Sequence, residues 1–516
     1  MSGPFGLPLP LLTDSYKASH YALYPDAQRA IAYAEFRHAL DKDSQDQRII
    51  FYGLRYVIEH YISRQWTLQD VNMAEAFFKT HNAGFTAFPF PRDLFLKFIA
   101  EHNGYFPVRI EAMPEGSVVY PHTPVLQITA QSEYASLVTY LETVLLMTWY
   151  PSTVATVSRR AKNLIAQYYE KSVDQDAYWT LSSRLHDFGF RACTCVEQSM
   201  LGGAAHLLNF DGTDTLSAAY YVQYSLNNGD PVATSIPATE HSVMTAYPSE
   251  RQAMLKLLDE YGDGTVACVM DSYDYARALK EVLPAVAEKK LEKGGYLVIR
   301  PDSGDQVEAV LMGLDAAARV FGTQTNKKGF KVIQGAGVIQ GDGVTPQSLR
   351  RILDAVHAAG YSAQCVGFGM GGHLLQKVNR DSMSMAIKLS SITYCGDGEK
   401  PLVRDIMKFP KSEADKVSLP GHFAVVSDTQ NQGGAPVAYH VDDMPEGAKN
   451  CLSVVYDCGL VKQHQWESFA DIRKRVEEQW NNFPPVANAV SESLLKRQKD
   501  VHDTQARLVE QGTTFA

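Results

Sequence analysis

Positive charge is in short supply in this 516-residue sequence: 48 Lys and Arg stand against 58 Asp and Glu, a formal charge of −10. Non-specific nucleic-acid binding needs clustered cations, so that class is excluded, although one small basic pocket for a phosphate is not. Cysteine is scarce too. Seven are scattered along the chain, at Cys193, Cys195, Cys268, Cys365, Cys395, Cys451 and Cys458, an odd number that builds no disulfide framework and points to a reducing compartment. Cys193 and Cys195 lie two apart, but no second pair at zinc-ligand spacing accompanies them. Long apolar runs are missing. The longest, Val144 to Tyr150, falls far short of the ~20 residues of a membrane helix. The opening MSGPFGLPLPLL lacks a basic leader and is broken by three prolines, so it reads poorly as a signal peptide. A cytoplasmic protein without a membrane partner is expected. Low-complexity stretches, a fixed-period repeat and a Walker A run are absent as well.

What is present is an ordinary enzyme composition, 45% hydrophobic and 21% charged, on a chain long enough for two or three domains. Residues 51–62 place Phe51, Leu54, Ile58 and Tyr61 at helical spacing. Residues 105–130 read as short strands between Pro and Gly turns, and 135–171 as helix interrupted near Pro151. The middle has another rhythm. Apolar segments run repeatedly into polar or Gly-rich elbows: RLHDFGFR, ATSIPATEHS, VACVMDSYD, YLVIRPDSGD, GVIQGDG, QCVGFGMGG and SMAIKLSS. Glu240, Asp271, Asp302 and Asp342 follow one another at intervals of 31, 31 and 40 residues, with helix-like stretches between them. That is the cadence of βα units around a parallel sheet, and six or seven in succession favour an irregular β/α barrel. The barrel is expected over residues 179–391. A second mixed α/β domain is expected from both chain ends, 1–178 and 392–516. In the latter, LSVVYDCGLV reads as a hairpin and SFADIRKRVEEQW as a helix capped by Ser468 with Asp471 in its first turn.

The elbows concentrate acids, arginines and glycines: Asp187, Arg191, Asp214, Glu240, His241, Asp271, Asp274, Arg300, Asp302, Asp342, Gly371 and Gly372. Carboxylates at strand ends bind ribose hydroxyls or hold magnesium through water, while guanidinium groups and Gly-rich turns bind phosphate. Any one of these residues is equally a turn former or a helix cap; their recurrence points to a sugar phosphate or diphosphate with magnesium. GFGMGG (367–372) matches G-x-G-x-x-G, but no acid stands about 20 residues on, so a phosphate turn fits better than a dinucleotide fingerprint. By spacing alone His241 fits a hydrogen-bonded loop histidine better than a catalytic one.

At these elbows the chain resembles the nicotinamide phosphoribosyltransferase family. The resemblance rests on TDSYKASHY (13–21), FYGL (51–54), WYPSTVAT (149–156), LHDFGFR (185–191), NFDGTDT (209–215), EHS (240–242), DSYD (271–274), IRPDSG (299–304), VIQGDG (338–343) and LLQKVNRD (374–381). It implies a type II phosphoribosyltransferase fold and a homodimer with shared active sites. The substrates would be nicotinamide and phosphoribosyl pyrophosphate, with Mg2+ and with ATP as activating co-substrate. Phe188 and the partner copy's Tyr16 would then stack on the nicotinamide ring. Asp214 would accept from the carboxamide NH₂, with Ser235 among the substrate-binding residues, and Arg300 would face the carboxamide oxygen. Arg191, Asp302, Gly341 and Asp342 would hold ribose, pyrophosphate and magnesium, with Asp274 joining Asp302 on the metal through water. Gly371, Gly372, Arg380, Lys388 and a second copy's Arg37 would form the phosphate end, and His241 would be the histidine phosphorylated by ATP.

The residue types suit that chemistry. A pyridine nitrogen is unprotonated at neutral pH and needs no general base, so the absence of an acid–base dyad is expected. Three departures from the family pattern stand out: Met370 and His373 in the glycine turn, Ala386 in place of a hydroxyl, and VRDIMKFPKSEADK (403–416), which leaves Arg404, Lys408 and Lys411 without assigned roles. The rivals are a nicotinate phosphoribosyltransferase, which Asp214 disfavours by repelling a second carboxylate, a binding-only protein, and an unrelated sugar-phosphate barrel.

Overall fold

The computed structural model describes residues 3, 6–394, 401–413, 416–430, 432–462 and 464–510. The chain falls into two compact units. One comprises Met1–Thr153, Asn379–Glu467 and Asp471–Ala516; the other comprises Val154–Val378 with Ser468–Ala470.

The first unit is built on a six-stranded sheet in the order Leu402–Asp405, Met385–Tyr394, Ala27–Phe36, Leu126–Gln131, Val108–Ala112 and Ser453–Asp457. Every neighbouring pair is antiparallel. From Ala30 to Phe36 the central strand is buried at every residue, so both of its faces are covered. Its core gathers aromatic side chains, with Trp66 packed edge-on against Phe95 and Phe98. Three sequence expectations change here. SMAIKLSS, read as one more barrel repeat, lies in the strand Met385–Tyr394 and pairs antiparallel with Ala27–Phe36. Among the described residues its other neighbour, Leu402–Asp405, is antiparallel as well, so the strand takes no part in the parallel sheet. Phe51 ends a short strand, Ile49–Phe51, and the helical stretch begins only at Leu54. Gly53 separates them at φ +99°, where an added Cβ would meet the Pro151 ring at 2.2 Å. The strand Ser453–Asp457 pairs with Val108–Ala112, and the returning limb of the expected hairpin is reduced to a single bridge, Tyr456 to Leu460.

The second unit carries five parallel strands in the order Leu185–Asp187, Val366–Met370, Ala336–Gln340, Tyr296–Arg300 and Thr265–Val269. Single parallel bridges continue the circuit from Asp187 to Thr213, from Gly212 to Thr234 and from Ala238 to Ala267. The result is an irregular barrel whose last staves are loops. Helices follow the strands, among them Gln306–Phe321, capped by Asp305, and Pro346–Ala358, whose Thr345 forms a reciprocal cap with Ser348. Because all five strands run the same way, their carboxyl ends share one rim, where loops can carry chemistry. The six cysteines among the described residues are unpaired, and Cys395 lies outside those residues. Burial raises the Cys193 thiol to about 11, and its Sγ donates to the Gly189 carbonyl at 3.4 Å.

Candidate active site

The strand Leu185–Asp187 ends in a carboxylate with no solvent exposure. Asp187 Oδ1 accepts from the Gly189 N–H at 2.7 Å and tightens the turn that throws Phe188 off the rim. Burial pushes the Asp187 carboxyl up to about 6, against the opposing pull of that N–H. Its backbone carbonyl accepts from the Asp214 N–H at 3.0 Å, which places the Asp214 side chain beside the turn. Ser235 Oγ donates to Asp214 Oδ1 at 2.6 Å. The Arg300 guanidinium carbon lies 5.5 Å from the Phe188 ring centre, and one terminal nitrogen donates to Asp302 Oδ1 at 2.7 Å. Its Nε is buried with no acceptor. Phe188, Phe190, Arg191, Asp214, Thr215 and Arg300 line a cavity of about 360 Å³. An aromatic face, a carboxylate acceptor and an unused guanidinium donor around one small cavity suit a flat heterocycle bearing a carboxamide.

Further round the rim the carboxylates interlock. His241 shares a hydrogen bond at Nδ1 with Ser272 Oγ (3.0 Å), while Nε2 lies 3.4 Å from Asp302 Oδ2 and 4.0 Å from Asp271 Oδ1. These surroundings favour the tautomer with its hydrogen on Nε2, which leaves Nδ1 to accept from the hydroxyl. Asp271 Oδ2 accepts from the Asp302 N–H at 2.8 Å and from Ser303 Oγ at 2.5 Å. Asp271 therefore ties the Asp302 loop to its own strand end and faces the histidine as well. In the motifs Asp271 stands only as an elbow acid, and Ser272 and Ser303 lie within DSYD and IRPDSG with no role of their own. The spacing of 31 residues from Asp271 to Asp302 was the available signal.

Asp342 presents an exposed carboxylate while its backbone carbonyl is held by Gln306 Nε2 at 2.7 Å. Gly371 and Gly372 form the turn from the last barrel strand into the short helix Gly372–Leu375. Arg191 is exposed beside the cavity. Asp274 Oδ1 accepts from the Arg277 N–H at 3.0 Å, so this carboxylate is engaged as a helix cap. No group of three or more His, Cys, Asp or Glu side chains able to hold a metal occurs among the described residues.

The remaining candidates belong to the first unit. Arg37 is only 8% exposed, and its Nε finds no acceptor. Lys388 stands opposite Tyr33 in the sheet and donates to the Ile387 carbonyl at 2.7 Å. Burial lowers the Lys388 ammonium below its ordinary value, with Glu142 pulling upwards and Arg37 and Lys408 adding to the fall. A buried, incompletely paired guanidinium beside a desolvated ammonium calls for an anion. Ala386 is buried opposite Glu35. Tyr16 is 54% exposed with the Lys17 ammonium 5.4 Å from its ring centre, and Arg380 pairs with its neighbour Asp381 at 2.8 Å.

Two family models match the chain: the nicotinate phosphoribosyltransferase (NAPRTase) family over residues 183–415, and the nicotinamide phosphoribosyltransferase N-terminal domain over residues 8–110. A nicotinamide phosphoribosyltransferase of Xanthomonas campestris pv. campestris is 40% identical over 425 residues, 81% of this chain and 87% of the relative. One from Acinetobacter baylyi is 30% identical over 78% of this chain and 84% of its own. The solved structure of a nicotinate-nucleotide pyrophosphorylase from Pyrococcus furiosus superposes with a TM-score of 0.60 at 16% identity, covering 94% of this chain and 98% of that one, a likeness of fold.

Proposed function

We propose that this chain, which belongs to the nicotinamide phosphoribosyltransferase family, joins nicotinamide to phosphoribosyl pyrophosphate to give nicotinamide mononucleotide and pyrophosphate, a step of NAD salvage. The observation that carries the choice of base is the pairing of Asp214 and the free Arg300 Nε around the Phe188 cavity. The carboxylate accepts from a carboxamide NH₂, and the guanidinium donates to its oxygen. Nicotinate would set its own carboxylate against Asp214.

The pyridine nitrogen attacks the anomeric carbon as the bond to pyrophosphate breaks. The leaving group takes the bonding electrons, and the base becomes a pyridinium. Stacking on Phe188 aligns that nitrogen, so most of the residues' contribution is positioning. Strand-end carboxylates face the positive charge that develops on the ribose, and Arg191 offers a guanidinium to the departing phosphate. The donor set fits a magnesium ion that substrate oxygens and water would hold more than the protein, with Asp302 as a contact and Asp274 joining through water. When bound, the ion would neutralise the leaving pyrophosphate. His241 is read as the acceptor of phosphate from ATP, supported by its ordered ring between Ser272 and Asp302. Arg37 and Lys388 are read as the phosphate end. The exposed Tyr16 suits a homodimer in which a second copy contributes Tyr16 and Arg37. A cytoplasmic location is inferred from the unpaired cysteines and from the lack, among the described residues, of a helix long and apolar enough to cross a membrane.

The test is product formation from phosphoribosyl pyrophosphate and magnesium with nicotinamide or nicotinate, each with and without ATP. Nicotinamide mononucleotide with released pyrophosphate supports the assignment. Product from nicotinate alone moves the chain to the rival transferase, and no product from either base returns it to a binding role. ATP stimulation that persists in His241→Ala overturns the phosphohistidine.

A further inference from the structure

The ring of Phe188 is seated on two glycines. The Phe188 N–H donates to the Met370 carbonyl at 3.1 Å, and the strand Val366–Met370 pairs with Leu185–Asp187 so that Gly369 stands opposite His186. The ring then folds back over Gly369. A Cβ added there would lie 2.1 Å from both Cδ2 and Cε2 of the ring and 2.8 Å from Cζ. At Gly341 an added Cβ would lie 2.8 Å from Cε2 and 3.2 Å from Cδ2, the same ring edge, and 3.6 Å from Arg300 Nε. Neither glycine has a left-handed φ, so the backbone there is one that other residues adopt. What excludes a side chain is the aromatic ring. A contact at 2.1 Å is far inside the ~3.5–4.0 Å separation of packed carbons, so the ring has to move for a methyl group to enter.

We propose that Gly369, with Gly341, is a positioning residue for the base. Their missing side chains form the seat that sets the height and tilt of Phe188, and therefore of the heterocycle stacked on it. The inference rests on the reading of Phe188 as the base-stacking residue, and it adds that two glycines on separate strands decide where that face lies. Gly369 touches neither substrate nor the reacting atoms; it acts through the ring.

The experiment is a double-mutant cycle on the full-length enzyme with Gly369→Ala, Phe188→Ala and the double variant. KM for nicotinamide, KM for phosphoribosyl pyrophosphate, kcat and thermal midpoint are measured for each. Gly369→Ala should raise KM for nicotinamide about tenfold, the scale of a displaced stacking contact, with KM for the phosphoribosyl donor unchanged. Phe188→Ala should do the same. The double variant should be no worse than Phe188→Ala alone, and it should melt higher than Gly369→Ala because the methyl group now has room. If Gly369→Ala alone does not fold, the double variant still decides, by matching or falling below Phe188→Ala. Multiplying effects, or equal damage to both KM values, overturns the seat while leaving the stacking role of Phe188 intact. An unchanged nicotinamide KM in Phe188→Ala overturns the stacking role and the seat together.

Discussion

The barrel rim and the antiparallel sheet both carry charged residues, and they treat them differently. On the rim, Arg300, Asp302, Asp271, Ser303, His241 and Ser272 are linked to one another through short polar contacts, and Arg300 keeps its buried Nε without an acceptor. In the sheet, Arg37 is buried with an idle Nε, and the ammonium of Lys388 donates to a backbone carbonyl, that of Ile387. A network of linked groups keeps its geometry without substrate, so it suits groups that must be in place before chemistry begins, and the idle guanidinium nitrogen is left for the base. A cation left short of partners gives up stability until an anion arrives, and so it suits binding.

The sharpest break of that comparison is Arg37→Ala. Losing a charge-assisted contact to phosphate should cost on the order of 3 kcal/mol, or about 100-fold in KM for phosphoribosyl pyrophosphate. Thermal stability should hold or rise, because a poorly paired buried charge has gone. A fall in melting temperature without a KM change would make Arg37 structural. Next comes Asp187, a rim carboxylate with no solvent exposure. Its folded carboxyl titrates near 6 against an ordinary 3.8, so the folded chain binds this proton more tightly than the unfolded chain. Stability from this group is present at low pH and is lost as pH rises from about 4 through 6. Asp187→Asn keeps an acceptor for Gly189 and should be more stable than the parent by roughly 2–3 kcal/mol at pH 7.5. That advantage should vanish near pH 4, as urea midpoints at the two pH values would reveal. An equal gain at both would rule out titration as its source.

Asp214→Asn replaces an obligate acceptor by a group that also donates. It should shift the nicotinamide-to-nicotinate ratio of kcat/KM by about tenfold towards nicotinate, and an unmoved ratio would take base selection away from this carboxylate. The smallest effect belongs to the scaffold. Thr345→Ala removes a helix cap whose Oγ1 accepts from the Ser348 N–H at 3.1 Å. It should cost about 1 kcal/mol of stability and leave both KM values where they were.

The sequence made the barrel legible because a βα unit is a local pattern. The elbows RLHDFGFR, VACVMDSYD, YLVIRPDSGD, GVIQGDG and QCVGFGMGG all fall at strand ends on one rim. SMAIKLSS carries the same apolar signal and lies in the other sheet, since alternation marks a strand without naming its partner. Of the site, Phe188, Asp214, Ser235, Arg300, Asp302 and His241 were all found among the motifs, and the structure joins them through hydrogen bonds, an ion-pair distance and a cation–ring approach. Asp271 was present in the same pattern, but its position between His241 and the Asp302 loop depends on two strands meeting in space.

By itself, then, the sequence determined that this chain is an α/β enzyme whose parallel barrel has an acid- and glycine-rich rim and that it resembles one family, because periodicity and motif spacing are properties of neighbouring residues. Only the tertiary structure decided which polar groups are already paired, which stay idle, and that the Phe188 ring lies against Gly369 and Gly341. Those facts depend on atoms brought within a few ångströms across segments more than a hundred residues apart, such as Phe188 and Gly369, and no local pattern records such distances.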